Sequence, residues 1–342
     1  MKIHLLPQSG SYYKAGMHLH TTISDGALLP EETKRAYMEK GYSILAFTDH
    51  EVFVPHNDLT DEHFVAINSF EVGVNETHDG PSGSRKCYHL NLYARDPDQT
   101  TCAVFSARYI KSERRQQYIT EEARQYDYVR HYSVGKINEL IEKANADGFL
   151  VCYNHPLWSV QDYEDYAGLK HLWGVEVYNH SCTLCGYYET PQAFIDLLHK
   201  NETVFPVASD DAHRPFEYGG GWLMVHADRL DYRTVMDSLA RGDFYASSGP
   251  EIREFSIDGA SVHVSCSEAV SIAVVTERRT VLHKRGTADA PITEADFDLS
   301  QYLNDTKAVS YHPWRPLIRL EIVDEYGKTA YSRPYYLEEF IS

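Results

Sequence analysis

Side chains able to share metal ions recur in short clusters over the first two thirds of the chain. They are His18-Leu19-His20 with Asp25 in Ser-Asp-Gly, Thr48-Asp49-His50, Glu71, His89, Asn154-His155-Pro156, and Asp210-Asp211-Ala212-His213. On an extended strand an H-x-H pair points both rings to one face, as two ligands of one ion require. Imidazole and carboxylate donors suit manganese, zinc or iron, and six imidazoles with several carboxylates exceed what one ion takes. Two or three divalent ions are therefore expected. Ions so placed activate water and stabilise the entering and leaving oxygens of an ester. Neither a G-x-S-x-G elbow nor a glycine-rich phosphate loop is present, which agrees with hydrolysis by metals alone.

The clusters need elements to bring them together, and most of them follow a short apolar run. Runs at 17–18, 44–47, 64–70, 88–93, 149–153, 174–178 and 204–208 make seven candidate strands. Helical periodicity fills 29–40, 133–147, 192–200 and 232–241; the first opens with Pro30 and two Glu, and three of the four stop before a glycine. This is the rhythm of βα units. In a barrel of parallel strands the C-terminal ends meet at one face, where residues nearly 200 positions apart converge. A long segment at 95–131, rich in Arg and Tyr, is expected to form helices that roof the site or mediate dimerisation. Beyond Ser247-Ser248-Gly249-Pro250 the pattern turns to short alternating strands, with hairpins at 257–264 and 317–333. The expected division is a hydrolase barrel at 1–250 and a small β-sandwich at 251–342.

In this order the motifs HLHTTISDG (18–26), TDH (48–50), Glu71 after an apolar strand, His89 in YHLNLY, NHP (154–156) and DAH (211–213) resemble the PHP (polymerase and histidinol phosphatase) superfamily. The resemblance covers most of 15–215. GDFYASSGP (242–250) is similar to the end of the barrel in two-domain relatives, including the carbaryl-hydrolase-like branch. What the resemblance implies is an α/β fold, a distorted (β/α)7 TIM-like barrel, and a trinuclear site. His18, His20, Glu71 and Asp211 would hold the first ion. Glu71, as a bridge, would hold the second with His89 and His155, and Asp25, His50 and His213 the third. Glu71, Asp25 and His50 are the residues assigned to catalysis. The D-x-H spacing favours Asp211 over Asp210 as ligand, and the strand around His89 favours it over His78.

The reaction expected is attack of a metal-bridged hydroxide on a phosphoester of a small metabolite or nucleotide. Arg214, Arg85 and Lys86, with Arg114 and Arg115 of the long segment, are candidate grips for an anionic substrate. A carboxyl-ester, carbamate or amide hydrolase is the alternative, because the same hydroxide attacks carbonyl carbon, and a non-catalytic metal-binding module is a third reading. Asn179 is a candidate for orienting a ligand, and Trp158 for either a pocket wall or core.

Charge narrows the partner. The 342 residues carry 50 acidic and 32 Lys+Arg side chains, a formal net charge of −18. Such a surface repels polyphosphate backbones, which argues against long nucleic acid and for a small substrate reached through metals. No stretch approaches about 18 uninterrupted apolar residues, and MKIHLLPQSG lacks a signal-peptide apolar core. A cytoplasmic protein without a membrane span, and with a homodimer possible, is the expectation. Six cysteines are too few for a disulfide scaffold, so reduced thiols are expected, Cys182 and Cys185 of the single CxxC included.

Overall fold

A computed structural model describes residues 2–77 and 82–340; His78 lies outside them. In chain order the N-terminal part comprises β1 (Lys2–His4), β2 (Ser11–Gly16), α1 (Pro30–Met38), β3 (Tyr42–Phe47), β4 (Val65–Asn75), β5 (Cys87–Ala94) and α2 (Glu113–Gln116). There follow α3 (Val134–Ala146), β6 (Phe149–Tyr153), α4 (Tyr163–Tyr166), β7 (Gly174–Asn179), α5 (His180–Leu184), α6 (Gln192–Leu198), β8 (Phe205–Ser209), β9 (Trp222–Ala227), α7 (Tyr232–Arg241) and β10 (Phe244–Ser247). The remainder is β11 (Ile252–Asp258), β12 (Ser261–Ala269), β13 (Ser271–Thr276), β14 (Val281–Arg285), β15 (Ile292–Asp298), α8 (Ser300–Ala308), β16 (Leu317–Val323), β17 (Thr329–Ser332) and β18 (Tyr335–Tyr336).

The result is a mixed α/β fold built on one long sheet. Strands β2 to β8 pair in sequence order. At the two ends of this path Leu19 and Ala212 form a parallel bridge, with His20 N–H donating to Ala212 O (2.9 Å) and Asp211 N–H to His18 O (2.9 Å). Both ends of the path therefore meet where the metal-competent motifs begin.

The strands are not all parallel, as the sequence reading had them. Strand β5 runs antiparallel to both β4 and β6. Its connection to β4, residues 76–86, is shorter than the crossover of about a dozen residues that a parallel pair needs. His89 consequently sits near the start of its strand, yet on the same face as the C-terminal ends of its neighbours.

From β2 the ladder continues outward through β9, β10, β17, β16, β13 and β14. Strand β9 was not anticipated; it lies antiparallel between β2 and β10. Residues 242–250 cap the end of α7 and form β10 and the turn after it. A second sheet, in the order β1-β11-β12-β15, packs across the outer strands. Phe255, Ile257, Val262, Val264 and Phe297 of that sheet share one core with Ile272, Val274, Ile318, Leu320 and Ile322 of the long one. Pairing of β1 with β11 and of β10 with β17 carries hydrogen bonds across position 250.

Residues 95–131 depart from the helical expectation. Their only α-helical stretch is the four-residue α2, flanked by 3-10 turns at Ala107–Tyr109 and Ala123–Gln125. Val104, Phe105, Ile110, Ile119 and Ala123 anchor the segment in the core around β4–β7, with Arg130 buried beside them and Arg95, Arg108 and Arg124 on the outer surface. Among the described residues no helix is long and apolar enough to cross a membrane. The six thiols are unpaired, and among the described residues neither Cys182 nor Cys185 joins a metal-competent group.

Candidate metal centre

Burying His18 and His20 in extended chain beyond β2 requires that their backbone be tied down, and the TDH motif at the end of β3 does this. Thr48 Oγ1 accepts from Leu19 N–H (2.9 Å) and donates to Leu19 O (2.9 Å). Asp49 accepts from Thr21 N–H (2.8 Å), Thr21 Oγ1 (2.7 Å), Ser24 N–H (3.0 Å) and Ser24 Oγ (2.7 Å). The loop carrying Asp25 is thus stitched to the turn carrying His50. Gly26 closes it, because a Cβ there would stand 2.1 Å from His20 O.

All nine residues assigned as metal ligands from sequence lie in one cluster. Glu71, at the centre, is 1% exposed. Its carboxylate stands 2.7 Å from His50 Nδ1, 3.0 Å from His89 Nδ1, 3.3 Å from His18 Nε2, 3.5 Å from His155 Nε2 and 3.6 Å from His20 Nε2. Asp211 Oδ1 is 3.1 Å from His20 Nε2 and 3.2 Å from His18 Nε2. Asp25 lies 3.6 Å from His50 and 3.7 Å from His213. The His20 ring centroid lies 4.2 Å from those of both His50 and His213, which are 6.0 Å from each other.

Donor atoms close enough to share an ion fall into overlapping groups. These are His20, Asp25, His50 and His213; His18, His20 and Asp211; His50, Glu71 and His89; and His18, His155 and Glu176. The chemistry of the set fits cations. His18 Nε2 and His20 Nε2 face each other at 3.3 Å with Asp211 Oδ1 beside both, and buried Glu71 Oε2 accepts no hydrogen bond. Lone pairs that converge without enough protons between them are what a divalent ion satisfies.

Charges in the cluster act strongly on one another: against burial, which lowers them, the neighbouring carboxylates raise His18, His50, His89 and His155. Burial works against every charge here, but His89, His18 and His50 hold the Glu71 carboxyl well below the usual carboxylate range. Asp211 is lowered in the same way, against burial, by His18, His20 and His155. Burial and the charge of His50 push His20 down to about 4, which keeps that imidazole neutral and competent to ligate.

Asp210 takes a different part from Asp211. It accepts hydrogen bonds from Tyr37 Oη (2.9 Å) and from the backbone N–H groups of Gly219, Gly220 and Gly221 (2.8 Å each), fixing the turn into β9. Burial nonetheless raises it to about 6. Asp211 adopts φ +51° and turns its carboxylate into the cluster.

The sequence reading missed Glu176. Fully buried on β7, it accepts from His18 Nδ1–H (2.8 Å), Ser209 Oγ, His155 N–H (3.0 Å) and Asn179 Nδ2 (3.0 Å). A carboxylate on the far nitrogen of a ligating imidazole sets its tautomer and ring plane. The available signal was a charged residue inside the apolar run Val175-Glu176-Val177, because a buried charge needs partners. Asn179 does orient a neighbour, donating to Asp211 Oδ2 (3.2 Å). Replacing Glu176 by Gln is expected to weaken metal affinity about 10–100-fold while retaining the fold, measured by metal-buffered titration beside circular dichroism.

The cationic grips fare differently. Lys86 departs from the expectation: its ammonium is paired with Asp162 (2.8 Å) and Asp165 (2.7 Å) at the start of α4. Arg214 is exposed beside His213, and Arg85 is half-buried in the segment entering β5. From the 95–131 segment, Arg114 donates to Thr22 O and Ser24 O (3.1 Å to the latter), and the Arg115 guanidinium stands 3.7 Å from Asp25. That segment brings positive charge to the His50 and His213 side of the cluster.

No protein-family model matches the sequence, and no curated protein matches it. Solved structures that resemble the chain include a two-domain protein from Bacteroides vulgatus described as containing a PHP-like metal-dependent phosphoesterase. That likeness has 14% identity over 97% of this chain and 98% of the other, with a TM-score of 0.43. A protein from Bifidobacterium adolescentis named as a metal-dependent phosphoesterase shows 16% identity over 69% and 98%, TM-score 0.38. An amidohydrolase from Chromobacterium violaceum shows 15% over 67% and 96%, TM-score 0.40.

Proposed function

We propose that this chain is a metal-dependent phosphoesterase of the PHP type, acting on a small phosphorylated molecule. The observation that carries the reading is the shared carboxylate: Glu71 lies within 3.6 Å of five imidazoles that belong to adjoining metal-competent groups. Groups that share members hold neighbouring ions, the arrangement suited to in-line displacement at phosphorus. On this reading His18, His20 and Asp211 would hold one ion and Asp25, His50 and His213 another. Glu71 with His89 and His155, which stand 3.0 and 3.5 Å from it, would hold a further one, although the donors that lie close enough to share an ion with Glu71 are His50 and His89. Divalent ions there supply Lewis acidity toward water and toward a phosphoryl oxygen.

The chain's own residues do the positioning. Asn154 donates to Glu71 Oε1 (3.0 Å), which fixes the central carboxylate. Glu176 holds His18 and the backbone of His155 in place. Arg115, beside Asp25 at the more open side of the cluster, offers a guanidinium to the anionic head of the substrate.

Chelator-stripped protein reloaded with manganese or zinc is expected to release phosphate from at least one of a panel of sugar phosphates, nucleotides and model diesters. Vanadate should inhibit it. Turnover that is indifferent to chelation, or confined to carboxyl esters and carbamates, would contradict the reading.

A further inference from the structure

Trp158 follows the Asn154-His155-Pro156 motif, and its indole packs against two residues of the cluster, with ring centroids 5.0 Å from His155 and 5.6 Å from His89. It is 41% exposed. A tryptophan whose role was only to fill the core would be covered. This one stands nearly perpendicular to the His155 ring (81°), is tilted to the His89 ring (52°), and keeps an open surface beside them.

The loop that presents it is held at many points. Glu189, itself buried, accepts from the N–H groups of both Leu157 (3.1 Å) and Trp158 (2.9 Å). Ser159 Oγ lies 3.2 Å from His155 Nδ1, and Ser159 O accepts from Cys87 N–H (3.3 Å). His155 and Val160 both adopt positive φ, +26° and +58°, a left-handed conformation that non-glycine residues rarely take. Strain of this kind persists where surrounding contacts over-determine the backbone, commonly at ligand-binding positions. The hydrogen bonds fix the backbone that carries an exposed aromatic ring, which lowers the cost of binding a planar group.

We propose that Trp158 is an aromatic wall of the substrate site and that the substrate carries a planar aromatic group next to its scissile ester. The inference rests on the hydrolase reading above. Arg115 reaches Asp25 on the His50 and His213 side, whereas Trp158 covers the His89 and His155 side. An aryl ester would thus place its charged head toward the guanidinium and its ring on the indole.

The test compares 1-naphthyl phosphate with glycerol 2-phosphate, and 1-naphthyl acetate with ethyl acetate, on metal-loaded wild type, Trp158→Ala and Trp158→Phe. Phenylphosphonate and methylphosphonate binding is measured by calorimetry on the same proteins. The wild type is expected to favour the aryl member of the hydrolysed pair through KM, and Trp158→Ala to reduce the aryl-to-alkyl ratio of kcat/KM about tenfold, with Phe restoring most of it. A ratio unchanged by Trp158→Ala would overturn the proposal, as would a shift in sedimentation showing that the ring covers a second copy of the chain. Aryl preference confined to the acetates would support Trp158 while refuting the phosphoester reading. Should no ester be turned over, the phosphonates decide: phenylphosphonate binding no tighter than methylphosphonate overturns the proposal, and a Trp158-dependent preference supports it.

Discussion

Glu71→Gln is expected to lose metal and activity together. The substitution removes the buried charge that five imidazoles surround, and it keeps nearly the same volume. Removing one partner from a buried charged set costs about 3–5 kcal/mol, which corresponds to roughly 2.2–3.7 decades at 1.36 kcal/mol per decade. Activity at fixed metal concentration should fall by that factor. Elemental analysis of the purified variant should find less metal per chain than in wild type, with the far-ultraviolet circular dichroism unchanged. A variant retaining both full metal content and full turnover would remove Glu71 from the centre of the site.

A second large effect is on stability, and it lies outside the metal ligands. Arg130, its side chain only 1% exposed, pairs with Glu51 immediately after His50, donates to Gly73 O (3.2 Å), and stacks its guanidinium 4.3 Å from the Tyr109 ring centroid. Glu51 sits at φ +65° and accepts from Gly73 N–H (3.0 Å). The pair ties the 95–131 segment to the turn that presents His50. Arg130→Met leaves the Glu51 carboxylate largely buried without its partner, so unfolding in urea should lose about 3–5 kcal/mol, and the double variant Arg130→Met, Glu51→Gln should recover part of it. A loss below about 1 kcal/mol would place the pair among ordinary surface ion pairs.

These two residues show where sequence reasoning reached and where it stopped. Glu71 was legible because it ends an apolar run and takes its place in an ordered series of His and Asp clusters. Most of the nine ligand candidates converge because they lie at or just beyond strand ends on one face, as strand periodicity and motif order foretell; Glu71, expected to end its strand, lies inside β4, and Asp25 lies in the loop after β2. Arg130 and Glu51 are 79 positions apart, and nothing in either local pattern announces the pair. Glu176 was hidden for a different reason: a strand buried on both faces reads as apolar, and the single charge within it looks like an interruption.

Strand direction was the weakest part of the reading. A βα rhythm predicts parallel neighbours, but the brief 76–86 connection forces β5 to run back, and only the parity of the remaining connections restores the order. Strand β9 escaped because Trp222-Leu223-Met224-Val225-His226-Ala227 follows three glycines whose turn is held by the Asp210 side chain, 9 to 11 residues earlier, and not by a turn motif of its own. The helices of 95–131 failed to appear because Arg and Tyr at helical spacing do not make an apolar stripe, and the segment's buried residues follow no such period. Lys86 looked like a substrate grip until Asp162 and Asp165, far along the chain, were seen to hold it.

The central claim is that these clustered side chains form a centre for several divalent ions, and metal stoichiometry tests it most directly. Protein stripped with chelator, dialysed against manganese or zinc and freed of excess should carry about two or three ions per folded chain, as the number of donors requires. A folded chain that retains no divalent metal would contradict the account.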